Sequence, residues 1–92
     1  MNFSEALDLI KTGHLVAREG WNGKNMFVFL VHGSTFEVNR APLNTIFQLG
    51  TKINYHAHID MRTADGTIVP WLASQTDVLA EDWAVVSRPE TA

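Results

Sequence analysis

The sequence predicts an α+β fold, a small antiparallel sheet carrying an N-terminal helix and one or two short helices. Three observations point there. The first dozen residues hold one substantial capped stretch with the apolar period of a helix. The rest is a series of short apolar runs broken by glycine, proline and asparagine. Asp65-Gly66 is a hairpin signal between two of those runs.

Ninety-two residues make one domain, 1–92. A hydrophobic fraction of 46% with only 18% charged residues excludes a disordered chain. The absence of cysteine removes disulfides, thiolate zinc sites and cysteine nucleophiles together. A net charge of −3 argues against DNA as a partner, because non-specific DNA binding needs clustered positive charge. No apolar run approaches the ~20 residues of a membrane span. The opening MNFSEALDLIKTG has acids where an export signal has bases, so a cytoplasmic protein is expected. A domain this small buries only about 60–65% of its unfolded surface, so oligomerisation would add stability.

The first element is a helix over about residues 3–12. Asn2 caps it, Glu5 completes a capping box, and Phe3, Ala6, Leu7 and Ile10 form one apolar stripe that Gly13 ends. Leu15–Arg18 is a short strand, and Gly20-Trp21-Asn22-Gly23-Lys24 a turn whose glycines supply positive φ. Met26–Val31 is an unbroken apolar run that requires cover on both faces. A subunit interface is one cover, a folded-over hairpin the other. Residues 33–53 are turn-rich, with a short helical turn starting at Pro42. Tyr55–Met61 alternates as a strand and Thr67–Val69 returns from the hairpin, with Pro70 at its end. Ser74 caps a short helix with Asp77 at the capping-box position, Trp83–Val86 closes the sheet, and residues 88–92 are a frayed tail.

Few residues carry chemistry. His56, His58 and Asp60 share one face of their strand and have the residue types of a two-His-one-carboxylate metal site. The same spacing is that of any polar strand face. Ser34 and Ser74 lie in no nucleophile motif, no phosphate loop or dinucleotide fingerprint occurs, and Glu81-Asp82 reads as a solvated helix end. No catalytic residue, metal or cofactor is therefore expected. Trp21 and Trp71 lie on turns and offer faces on which a nucleobase stacks. The helix start at Ser74-Gln75-Thr76-Asp77 has amides for an anion, and Arg18, Lys24 and Arg40 supply local positive charge. The opposing reading makes both tryptophans core anchors and Ser74 only a cap.

Thr63-Ala64-Asp65-Gly66, Val69-Pro70-Trp71-Leu72-Ala73-Ser74-Gln75-Thr76-Asp77 and Leu79-Ala80-Glu81-Asp82-Trp83 together resemble the signature of the Thoeris anti-defence 2-like domain. Phe3–Leu7, Val16-Ala17-Arg18, Gly20–Lys24, Gly33–Phe36 and Val38–Leu43 agree with it, so the resemblance covers about residues 2–86. It implies a phage or prophage protein acting in the cytoplasm of the bacterial host. Such proteins bind the cyclic nucleotide signal of a Thoeris system, glycocyclic ADP-ribose, and sequester it uncleaved. It also implies a homotetramer with ligand pockets between protomers, and in some relatives separate pockets for cyclic oligonucleotides. The family often has glycine near position 25, where this chain has Asn25, which bears on ligand preference if that residue borders a pocket.

In that setting adenine stacks on Trp21 or Trp71, and phosphates meet the amides near Ser74, Gln75 and Thr76, or Arg40. Ribose hydroxyls meet Asn22 and Asp77, and Gly23 and Met26 complete the expected ligand-binding set. Two rival readings are a small nucleotide hydrolase using the His56, His58 and Asp60 face, and a structural or regulatory protein that docks on other proteins through the apolar strand.

Overall fold

In the computed structural model, which describes residues 1–89, the capped N-terminal segment forms α1, Phe3–Lys11. Asn2 Oδ1 accepts the Glu5 N–H at 2.9 Å and Glu5 Oε1 accepts the Asn2 N–H at 3.1 Å, which satisfies donors a helix start would leave orphaned. There follow β1 (Leu15–Arg18), β2 (Phe27–Val31), β3 (Ser34–Glu37), a single helical turn Leu43–Thr45, β4 (Lys52–Tyr55), β5 (His58–Arg62), β6 (Ile68–Pro70), α2 (Gln75–Leu79) and β7 (Trp83–Val86). Five strands form one antiparallel sheet in the order β6-β5-β2-β1-β7, and β3 and β4 pair separately. The α+β expectation holds.

Two expectations about the middle of the chain are corrected. The turn-rich stretch 33–53 contains the β3–β4 ribbon, which its polar, exposed residues conceal from a search for apolar runs. The strand expected over 55–61 is interrupted, since β4 ends at Tyr55 and β5 begins at His58. Register nevertheless carries through, with Val31 opposite His58 and Ser34 opposite Tyr55. β2–β3 and β4–β5 are therefore the arms of one long hairpin, pinched at His32-Gly33 and His56-Ala57. The pinch needs glycine. A Cβ on Gly33 would lie 2.7 Å from Tyr55 O and 3.2 Å from Ala57 N.

α1 packs on one face of the large sheet. Ala6, Ile10, Val16, Val28 and Trp83 form the buried core, with Phe3, Leu30, Ile59, Met61 and Trp71 around it. Burying such side chains stabilises a fold by about 1.5–3 kcal/mol each. β2, expected to need cover on both sides, has it on one. Val28 is fully buried, while Phe27, Phe29 and Val31 on the opposite face are only half-buried, paired across the strand with Arg62, Asp60 and His58. The tail expected to fray from 88 is partly docked. Arg88 Nη2 donates to Gly13 O at 3.4 Å and Pro89 lines a cavity together with Met26 and Phe27, while residues 90–92 lie outside the described residues.

The glycines around Trp21 do not supply positive φ as expected. A Cβ on Gly20 would meet Asp82 Oδ2 at 2.8 Å, and one on Gly23 would meet Ala64 Cβ at 2.6 Å, so both are there for close packing. The left-handed residue of this loop is Asn25, at φ 61. Asparagine is among the side chains that best tolerate that region, which accounts for its place here.

Asn25→Gly is expected to leave stability nearly unchanged, and Asn25→Val to lower it by about 1–2 kcal/mol through the left-handed penalty. Urea midpoints of the two variants check this, and equal midpoints would refute it.

Candidate functional site

The residues expected to bind ligand fall into three places. The first is an aromatic cluster on the α1 side of the sheet. Trp83, 2% exposed, is its centre. Trp21 meets it edge-on with ring centroids 5.3 Å apart, Trp71 likewise at 6.0 Å, and Phe3 lies 5.4 Å from Trp83 and 6.2 Å from Trp71. Edge-to-face contact suits the quadrupoles of aromatic rings. Both predicted stacking tryptophans thus pack against the core and keep only part of their surface exposed.

Asp77 ties this cluster to its surroundings. Its Oδ1 accepts from Arg18 Nη1 at 3.0 Å and from Trp21 Nε1 at 3.2 Å, and its Oδ2 from the Ser74 N–H at 3.3 Å. Ser74 Oγ in turn accepts the Asp77 N–H at 3.0 Å. The capping box expected from the sequence is present, and its acid occupies the start of a helix only five residues long. Asn22, Ser74, Gln75 and Thr76 are exposed. Arg18 continues the network, its Nε donating to Asp82 Oδ1 at 2.8 Å, while Asp82 Oδ2 accepts the Gly20 N–H at 2.8 Å. Asp82 is therefore not the solvated end of a helix, and Arg18 is not a free positive charge. Sequence reasoning missed this pairing because it joins residues 64 positions apart.

The carboxylates respond accordingly. Burial pushes Asp77 up, but hydrogen bonds from Arg18, Trp21 and Ser74 outweigh it and hold the group below the usual carboxylate range. The Arg18 hydrogen bond holds Asp82 down as well. In the β5–β6 hairpin, Asp65 accepts from the Thr63 hydroxyl and from the Thr67 N–H and hydroxyl, at 3.1 and 2.9 Å for the last two, and is lowered to about 2.

The second place is a cavity of about 530 Å³ on the sheet's other side, lined by Asn25, Met26, Phe27, Arg62 and Val86. Met26 of the expected set is here, against Gly23. Arg62 is engaged, its Nη1 donating to Asn25 O at 2.9 Å. The third is a cavity of about 560 Å³ between the β3–β4 ribbon and the loop that joins its strands, where Arg40 joins Ser34, Phe36, Asn39 and Tyr55. Of these lining residues only Arg40 belonged to the expected set. The signal for the others is two-residue alternation, which places Ser34 and Phe36 with their partners Tyr55 and Ile53 on one ribbon face.

The His56, His58 and Asp60 grouping does not assemble. His56 precedes β5, and its carbonyl lies 3.1 Å from His58 Nδ1. His58 Nε2 is 3.6 Å from Asp60 Oδ1. Among the described residues no cluster of three His, Cys, Asp or Glu is placed to hold a metal ion. Nor, among them, is any helix long and apolar enough to cross a membrane.

Comparison with known proteins supplies the identity. Residues 1–86 match the Tad2-like family model, described as the Thoeris anti-defense 2-like domain. The chain is also 46% identical over 90 residues to a Bacillus phage SP01 protein named Thoeris anti-defense 2, a match covering 95% of this chain and 96% of that protein. The class is thus a small α+β anti-defence domain of the kind phages carry. More particularly, the chain belongs to the Thoeris anti-defense 2-like family.

Two outcomes follow from the geometry. Because Asp65 is lower in the folded state than its ordinary 3.8, the unfolded chain binds more protons in acid. Its contribution is complete above about pH 4 and is lost as pH falls towards 2, so Asp65→Asn should flatten the fall in stability between those values. Urea unfolding across pH 2–6 reads this, and an unchanged slope would contradict it. Trp71→Ala removes a ring packed on Phe3 and Trp83 and should cost roughly 3 kcal/mol, visible as a lowered thermal midpoint. A variant that melts with the parent would show that Trp71 is no core anchor.

Proposed function

We propose that this chain is a phage anti-defence protein that sequesters, without cleaving it, a cyclic nucleotide immune signal in the cytoplasm of the bacterial host. The first ligand is glycocyclic ADP-ribose of Thoeris systems, with cyclic oligonucleotides as further ligands. The observation that carries this reading is the 46% identity, over 95% of the chain, to a phage protein named for acting against Thoeris. The arrangement of side chains supports it. The conspicuous acids, Asp65, Asp77 and Asp82, are spent on internal hydrogen bonds, and the two cavities of about 530 and 560 Å³ are lined by apolar, amide, hydroxyl and guanidinium groups. Such a lining suits holding a ligand more than transferring its protons.

Assembly belongs to the same reading. Phe27, Phe29 and Val31 leave an apolar stripe half-covered on the face opposite α1, next to the cavity that holds Met26. A second copy of the chain is its proposed cover, in a homotetramer with pockets shared between protomers. Rigid shared pockets would limit the ordering cost of capture.

The test is depletion and recovery. Purified protein is mixed with glycocyclic ADP-ribose, the protein is filtered away, and the filtrate is assayed for signal before and after the retained protein is heated. Loss followed by recovery of intact signal is the expected result, together with a tetramer mass by sedimentation. Loss with a new product would make the protein an enzyme. No loss of this signal or of cyclic di- and trinucleotides would end the sequestration reading, and a monomer mass would end the assembly reading.

A further inference from the structure

Of the asparagines in this chain, only Asn22 is followed by glycine. That pair has a covalent chemistry of its own. The backbone nitrogen after an asparagine can attack the side-chain carbonyl, and a following residue without a Cβ leaves the approach open. The structure keeps the pair free. Asn22 is exposed, and neither its amide nor the Gly23 N–H has a hydrogen-bond partner among the described residues. The glycine is also fixed in place, since a Cβ on it would meet Met26 and lie 2.6 Å from Ala64 Cβ. The packing that requires Gly23 thus retains the reactive pair.

Asp65-Gly66, which could close the same ring, is the internal contrast. Asp65 Oδ1 accepts the Thr67 N–H at 3.1 Å and the Thr67 hydroxyl at 2.9 Å, and the Gly66 N–H donates to Thr63 O at 3.0 Å. The attacking nitrogen and the side chain it would attack are both held. The Asp65 carboxyl is lowered to about 2 by those bonds, so it is an anion at neutral pH and resists a nucleophile.

We propose that Asn22-Gly23 is a self-modification site whose only co-reactant is water. The Gly23 nitrogen gives its proton to hydroxide and bonds to Asn22 Cγ. The Cγ–Nδ2 bond breaks, and the departing nitrogen takes a proton from water, leaves as ammonia and returns the hydroxide. The cyclic imide that remains is opened by water, which adds OH to one carbonyl carbon and H to the nitrogen. Opening at Cγ leaves an aspartate at position 22, and opening at the backbone carbonyl leaves an isoaspartate, with the chain running through the side chain. Either product adds a negative charge beside Trp21 to a chain already at −3, and the isoaspartate also lengthens the backbone of the loop. That the change weakens signal capture rests on the reading given under Proposed function; the modification itself rests on the loop.

The test holds purified protein in heavy-oxygen water, mildly acidic or mildly alkaline, native or unfolded in urea. Trypsin digestion in ordinary water follows, and peptide masses are read. Cleavage after Arg18 and Lys24 releases Glu19–Lys24, in which Asn22 is the only asparagine. Native protein should gain heavy oxygen in this peptide, faster in alkali because the attacking nitrogen must lose its proton. An isoaspartate-specific methyltransferase should label part of the product, and the fragment carrying Asp65 should gain no heavy oxygen. Asn22→Gln should abolish the gain in Glu19–Lys24.

Native protein that keeps Asn22 intact while the unfolded chain reacts would overturn the proposal, because the fold would then hold the loop shut. Equal gain in the Asp65 fragment would overturn the contrast on which it rests, and no gain in either state would overturn it outright. Anion exchange separates modified from unmodified protein, and both fractions enter the depletion assay with glycocyclic ADP-ribose. Less signal removed by the modified fraction upholds the effect on capture, and equal removal overturns that effect while keeping the site. No removal by the unmodified fraction ends the capture of this signal, and the site stands.

Discussion

The fold depends on how one indole is buried. Trp83 brings β7, α1, the loop after β1 and the start of α2 to a single point, because Phe3, Trp21 and Trp71 all pack on its ring. An indole this buried must satisfy its lone N–H, and it does so by donating to Asp77 O at 2.9 Å. Its backbone extends the sheet edge by one residue, since the Met1 amine donates to Trp83 O at 2.8 Å and the Trp83 N–H to Met1 O at 3.1 Å. Apolar area and hydrogen bonding therefore favour the same placement. The Arg18, Asp77 and Asp82 network lies on the flank of this cluster, where it orients the Trp21 loop without drawing water into the core.

The second constraint is the pinch in the long hairpin. Gly33 lets two backbones approach more closely than any side chain would allow. Beyond it the hairpin stops being part of the five-stranded sheet and becomes a ribbon on its own. The ribbon is long enough to carry its own loop, and that loop folds back to form a cavity wall with Asn39, Arg40 and Pro42. The main core cluster thus lies on the large sheet, while Val38 alone is buried where the ribbon gives way to its loop, near the cavity that holds Arg40. Substitutions in the ribbon accordingly disturb less of the core than those around Trp83.

What could be read from the sequence divides along the same line. α1, β1, β7, the Asp65-Gly66 hairpin and both capping boxes depend on neighbours within a few residues, and composition reveals them. The ribbon was hidden because Ser34, Thr35 and Asn54 look like loop residues until they are paired. The break at His56-Ala57 was hidden because alternation continues through it. The pairing of Arg18 with Asp82 was hidden because nothing local links a strand end to an acid after α2. At the site, Trp21, Trp71 and Asp77 were singled out for their chemistry, and the structure gathers these three around one core. The fold alone brings Arg40 together with Phe36 and Tyr55 in the lining of one cavity.

The anion capture proposed above would face an electrostatic conflict, because the summed field of a chain with net charge −3 repels an anion. The conflict is eased locally. Salt screens charges beyond about 8–10 Å, so what matters to a bound phosphate is the set of groups within its own cavity. Asp77 and Asp82 share the positive charge of Arg18, and Asp65 is held by Thr63 and Thr67. The Arg40 cavity contains no acid at all. Its polar side chains are guanidinium, amide, aliphatic hydroxyl and phenol. A cavity so composed sets a guanidinium beside neutral hydrogen-bonding groups, with no carboxylate among its lining residues.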